Sequence, residues 1–180
     1  MDRRALVLID VQQGFEEPFW GPRNNPDAEA NMQRILAHWR EQGWPVFHVK
    51  HNSLSPKSPL HPDKPGNAFL PAVAPLPGEP VFEKTVNSGF IGTDLEARLK
   101  EAGITRLVIV GLTTDHCVST TTRMAANLGF SVELVSDATA TFDKTDHRGV
   151  YIPAETLHNV HLASLHEEFC IVKTTEQILG

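Results

Sequence analysis

The chain has 180 residues, the length of one ordinary domain, with no room for two independent cores. Hydrophobic residues make up 41% and charged residues 21%, the balance of a soluble globular protein rather than a disordered chain. Sixteen Lys and Arg against 22 Asp and Glu give a net charge of −6; with no clustered basic run, nucleic acid and membranes are not expected as partners.

The first apolar run, Ala5 to Ile9, follows the charged Asp2-Arg3-Arg4 and halts at Asp10. It is too short for a signal peptide, and no stretch approaches the ~20 apolar residues of a membrane span. Two cysteines, Cys117 and Cys170, cannot build a disulfide framework, so a reduced cytoplasmic protein is expected. Along the chain the pattern predicts a strand over 5–10, a helix over 26–42 stopped by Gly43, and a second strand over 45–51. A third strand over 81–85 precedes a helix over 93–102 capped by Thr93. A fourth strand over 107–112 precedes a helix over 115–128. A fifth strand over 132–136, a helix over 153–168 and a sixth strand over 170–173 complete the series. Such alternation, with unbroken apolar strands, predicts a single-domain α/β fold over residues 1–180. Its doubly wound parallel sheet would run in the order 3-2-1-4-5-6 with helices on both faces. Between 52 and 80, prolines at 56, 59, 62, 65, 71, 75, 77 and 80 exclude regular structure, and so long a loop is usually functional.

Three residues stand at strand ends, where open α/β sheets bind ligands. Asp10 closes strand one. Lys84 lies near the end of strand three. Cys117, in Gly111-Leu112-Thr113-Thr114-Asp115-His116-Cys117, is expected in the first turn of the helix after strand four. A helix N-terminus stabilises anions, so a lowered thiol pKa is expected there, helped by Lys84. Strands one and four are neighbours at the reversal of strand order, so an acid, a cation and a thiol would share one crevice and suit covalent hydrolysis. Cys170, within Phe169-Cys170-Ile171-Val172, reads as a buried strand residue. His116, next to Cys117 along a helix, should point about 100° away from it and serve structure. His158, His161 and His166 read as a partly exposed helix face or subunit contact.

The motifs Leu8-Ile9-Asp10-Val11-Gln12, Lys84-x-x-x-Ser88 and Gly111 to Val118 resemble the isochorismatase-like cysteine hydrolase superfamily. The resemblance covers nearly the whole chain and implies an Asp–Lys–Cys triad at Asp10, Lys84 and Cys117. It implies hydrolysis of small amide or carbamoyl C–N bonds through a covalent acyl-enzyme, with a cis peptide before Thr113. The backbone N–H groups of Thr113 and Cys117 would form the oxyanion hole. It also places Phe15 in the substrate pocket and Gln12 in support of Asp10; Trp20, Asn52, Asn87 and Tyr151 are further candidates for substrate binding. Metal-binding nicotinamidases carry Asp-x-His after strand two, where this chain has His51-Asn52-Ser53. His51 and His61 alone make a thin zinc site, so no metal and no cofactor are expected. The expected partners are a small-molecule substrate and further copies of the chain, as a dimer or tetramer. A vinyl ether hydrolase and a non-catalytic binding protein on the same fold are the alternatives. The absence of Gly-x-Gly-x-x-Gly in either turn speaks against a dinucleotide oxidoreductase.

Overall fold

The computed structural model describes residues 4–180, so the Asp2-Arg3 pair lies outside the described residues. Six parallel strands form one sheet in the order β3-β2-β1-β4-β5-β8. They are β1 (Arg4–Ile9), β2 (Val46–His51), β3 (Val81–Lys84), β4 (Arg106–Leu112), β5 (Ser131–Ala140) and β8 (Ile171–Lys173). This is the predicted order, with the sixth sheet strand numbered eight because a short antiparallel ribbon, β6 (Lys144–Thr145) and β7 (Tyr151–Ile152), precedes it.

Alternation along the central strands explains their unbroken apolar sequence. Ala5, Val7 and Ile9 of β1 join Leu107 and Ile109 of β4 in one buried cluster, whereas Leu6, Leu8, Val108 and Val110 join another. Each face needs a cover. α1 (Ala28–Glu41) lays Met32, Ile35, Leu36 and Trp39 on the second face, with Ile178 of α5 (Thr175–Leu179) beside them. α2 (Leu95–Glu101), α3 (Ser119–Asn127) and α4 (Ala154–Leu165) cover the first through Leu95, Leu99, Ala125, Leu162 and Leu165. Burial of one such side chain stabilises by about 1.5–3 kcal/mol, so both faces contribute heavily to the core. Among the described residues, no helix is long and apolar enough to cross a membrane.

Four local differences from the sequence reading have physical causes. β5 runs four residues beyond 136, because Ser136 donates to Lys173 O and Asp137 accepts from Thr175, which satisfies polar groups that the apolar pattern treats as a stop. The expected helix over 115–128 opens as a π-turn, Thr114–Val118, before α3 begins. Thr93 lies two residues ahead of α2, where its hydroxyl accepts from Leu95 N at 3.4 Å and donates to Gly89 O at 2.6 Å. α5 was not predicted, although Thr174 and Gln177 form a capping box that its spacing announces.

Gly111 requires its residue type. It has φ 127°, and a Cβ there would lie 2.1 Å from Ile9 O, so β1 and β4 approach this closely only because no side chain intervenes. Residues 52–80 contain two short 3-10 turns, Pro65–Asn67 and Pro71–Val73, and no strand or α-helix. Asn67 fastens this segment to the sheet, donating to His51 O of β2 at 3.2 Å and accepting at its own carbonyl from Gln12 Nε2 at 2.9 Å, while its amide also braces the segment internally at Leu60 O and Asn52 Oδ1.

Candidate active site

Asp10, Lys84 and Cys117 leave three different elements and meet beyond the carboxyl ends of β1, β3 and β4. Asp10 follows the last residue of β1 with φ 53°, a left-handed conformation that Asp tolerates better than most residues. Lys84 ends β3, whose pattern turns Phe82 and Lys84 inward and Val81 and Glu83 outward. Cys117 sits in the π-turn after β4. Lys84 Nζ lies 2.7 Å from Asp10 Oδ2 and 3.2 Å from Cys117 Sγ, and neither the Lys84 nor the Asp10 side chain has any solvent exposure. The two charges therefore depend on each other, because burying either alone would be strongly unfavourable.

The electrostatics correct one expectation. Burial pushes the Cys117 thiol up to about 12, with the Asp10 carboxylate adding to the rise and Lys84 opposing it. Burial thus outweighs Lys84, and the balance favours the neutral thiol over the expected lowered pKa. Burial also raises Asp10 above the ordinary carboxylate range, against the neighbouring Lys84 charge. Among the described residues, no N–H or O–H donates to Asp10 Oδ1, and the Cys117 thiol is the neighbour that interacts with this carboxylate. A raised carboxylate beside a protonated thiol has the properties of a base for that proton.

A cavity of about 260 Å³ opens above these groups. Phe15, Trp20 and Phe142 form one wall, with Phe15 and Phe142 stacked at 6.1 Å and Trp20 and Phe142 at 5.7 Å between ring centres. Trp20 is held by its indole N–H, which donates to Gly14 O at 2.7 Å. Leu60 of the proline-rich segment, Lys144 and His116 also line it. Asn87 lines the cavity with its amide nitrogen 3.8 Å from Cys117 Sγ.

The remaining candidates distribute unevenly. Thr113 lines the cavity, and the Leu112–Thr113 peptide is cis. Asn52 and Tyr151 do not line it. Asn52 is occupied with Glu83 and Asn67, while Tyr151 is exposed and donates to Asp143. Gln12 braces His51 rather than the Asp10 carboxylate, accepting from His51 N at 2.9 Å and donating to His51 O at 3.0 Å. His116, expected to point away and serve structure, instead lines the cavity with Cys117, its Nε2 3.5 Å from Asp115. His158 is not on an exposed face. It is buried behind the π-turn, with Nδ1 2.8 Å from Thr114 Oγ1.

Phe142, Lys144 and Leu60, which also line the cavity, come from segments distant in sequence and so leave no local signal, whereas Thr85 stands beside Lys84 at the end of the third strand, where only its neighbour drew attention. His51 was read only as a thin zinc ligand beside His61. His61 instead lies 3.6 Å from Asp63, and the donor atoms that do come together are those of Asp10, His51 and Cys117, within 4.8 Å of one another. That set has the chemistry of a zinc ligand trio, but Lys84 Nζ contacts all three residues and fills the position of a cation.

A doubly wound parallel sheet with a part-apolar cavity at the reversal of strand order defines an open α/β protein whose cavity lies where such sheets bind ligands. The family model for the isochorismatase domain matches residues 4–177, and the chain belongs to that family of hydrolases. The isochorismatase family protein YrdC of Bacillus subtilis is 50% identical over 179 residues, covering 99% of this chain and 96% of YrdC. A streptothricin hydrolase of Streptomyces noursei is 37% identical over 143 residues, 78% of this chain but 50% of that protein. The crystal structure of an isochorismatase-family protein from Chromobacterium violaceum superposes with a TM-score of 0.95 at 46% identity, covering 99% of this chain and 93% of that one.

Proposed function

We propose that the protein is a metal-independent cysteine hydrolase that cleaves a C–N bond, amide or carbamoyl, in a small molecule. The observation that carries this is the contact of the Lys84 ammonium with both the Asp10 carboxylate and the Cys117 sulfur on the cavity lining.

Because the thiol rests protonated, attack and deprotonation occur together. Cys117 Sγ bonds to the substrate carbonyl carbon while its proton passes to Asp10, and the Lys84 ammonium stabilises the negative charge that develops on sulfur. The tetrahedral oxyanion is received by the Thr113 and Cys117 backbone N–H groups, and such donors each contribute about 2.7–4 kcal/mol in enzymes of known mechanism. Asp10 returns the proton to the departing nitrogen, leaving a thioester. Water, deprotonated by Asp10, then releases the acid and restores the thiol. Phe15, Trp20 and Asn87 hold the substrate. The name of the streptothricin hydrolase relative agrees with a hydrolytic role.

A screen of small amides, ureas and carbamoyl acids for ammonia release tests the reading. Cys117→Ala should lower turnover at least about a thousandfold while leaving the circular dichroism unchanged. A Cys117→Ala protein with wild-type turnover would overturn the mechanism.

A further inference from the structure

The Lys84 side chain has zero exposure, so its three N–H donors must all find partners within the protein. It has three. They are Asp10 Oδ2 at 2.7 Å, Cys117 Sγ at 3.2 Å and His51 Nδ1 at 3.1 Å. The first two belong to the proposed chemistry, and His51 has no part in it so far.

His51 and Lys84 are register partners on the parallel strands β2 and β3, so their side chains stand side by side on one face of the sheet. The backbone of His51 is pinned through its N–H and carbonyl to Gln12, and Asn67 donates to the same carbonyl. The ring is therefore presented from a fixed base. An ammonium only donates, so Nδ1 must be the acceptor and the ring proton must be on Nε2. The ring also has a backbone hydrogen bond to Val86, which suits a donating Nε2–H. Burial and the Lys84 charge hold His51 below the usual histidine range, which preserves the neutral ring that this contact requires.

We propose that His51 is a positioning residue whose neutral Nδ1 accepts the third hydrogen bond of Lys84 and thereby aims the ammonium at Cys117 Sγ. Without that acceptor, one buried N–H has no partner, and the ammonium turns toward whatever oxygen it can reach. The contact with sulfur then lengthens, and thiolate stabilisation falls with it.

The inference rests on Cys117 being the nucleophile, but its test needs no substrate. The rate of iodoacetamide alkylation at Cys117, resolved from Cys170 by peptide mapping, is measured at one mildly alkaline pH. His51→Leu removes the acceptor and should slow alkylation about 10–100-fold, the range expected for a buried donor left unsatisfied. In His51→Asn the side-chain oxygen stands near the former Nδ1, and the rate should return to within about threefold of wild type, since only hydrogen-bond geometry differs. With a substrate in hand, the same pattern should appear in kcat with KM little changed. Wild-type alkylation in His51→Leu overturns the proposal. So does a loss of about tenfold or more in His51→Asn, a measurement that decides alone if the leucine variant does not fold. Failure of the amide screen with this pattern intact would instead indict the proposed reaction.

Discussion

Asp10 combines three properties: a left-handed backbone, complete burial, and a carboxylate oxygen to which no N–H or O–H among the described residues donates. Burial raises its pKa, and the proposed base must be ionised, so the sign of the pH effect follows. Activity should fall as pH drops through a value above the ordinary carboxylate range, and kcat/KM against pH should show that limb in the free enzyme. An acid limb at about 3.9 or below would mean that an unperturbed carboxylate does the work. Asp10→Asn should lower kcat by about 10²–10⁴-fold at neutral pH. Asp10 was legible because it closes an apolar run where the strand leaves the sheet, and Cys117 because polar residues flank it in the turn after such a run; Lys84, in the alternating strand Val81-Phe82-Glu83-Lys84, gained weight only beside the other two. The pairing of His51 with Lys84 was not, because it depends on the register of β2 against β3, a property of two segments jointly. Asn52 and Tyr151 show the converse: a polar residue near a strand end is captured by whichever neighbour folds against it.

Glu79 anchors the end of the proline-rich segment against two other elements. It accepts from Arg40 Nε and Nη2 of α1 at 2.8 Å each and from Leu76 N at 3.0 Å, and it meets His48 Nε2 of β2 at 2.8 Å. Burial would raise its pKa, but the Arg40 and Leu76 hydrogen bonds prevail and bring it down to about 2. A depressed folded-state pKa stabilises above the unfolded value and loses that contribution as pH falls. Glu79→Gln should therefore lower stability by about 1–3 kcal/mol at neutral pH, read from urea midpoints. The difference should shrink between about pH 4.5 and about pH 2, the two ends of this titration. A difference independent of pH would place the effect in packing instead. The sequence marked this segment as irregular through its prolines, yet its fastening by Glu79 and Asn67 involves residues that no local pattern connects. β5 carries the same lesson, since its end is set by the hydrogen bonds of Ser136 and Asp137 rather than by apolar period, whereas α5 is announced locally by its capping box.

Two buried clusters, one on each face, share the same strands, with successive residues of β1 and β4 divided between them. Neither cluster survives without the sheet, so the molecule should unfold as one unit. Leu36→Ala, beneath α1, and Leu99→Ala, beneath α2, each remove a fully buried side chain from opposite faces and should each cost about 2–5 kcal/mol. Both should shift a single urea transition, seen alike by far-ultraviolet circular dichroism and tryptophan fluorescence. A transition split in two by either substitution would contradict a single domain. This scale was the most legible of the three, because unbroken apolar strands alternating with amphipathic helices admit few topologies.

The meeting of Lys84 with Asp10 and Cys117 spans 74 and 33 residues of sequence. Nothing shorter than residues 10–117 contains all three side chains, and they face one another only after β1, β2, β3 and β4 have docked in order. Every loop so closed carries an entropic charge before its contacts repay it. A ribosome extruding this chain therefore releases an ordinary thiol, an ordinary lysine and an ordinary aspartate, and the proposed triad comes together late, as a consequence of finished topology.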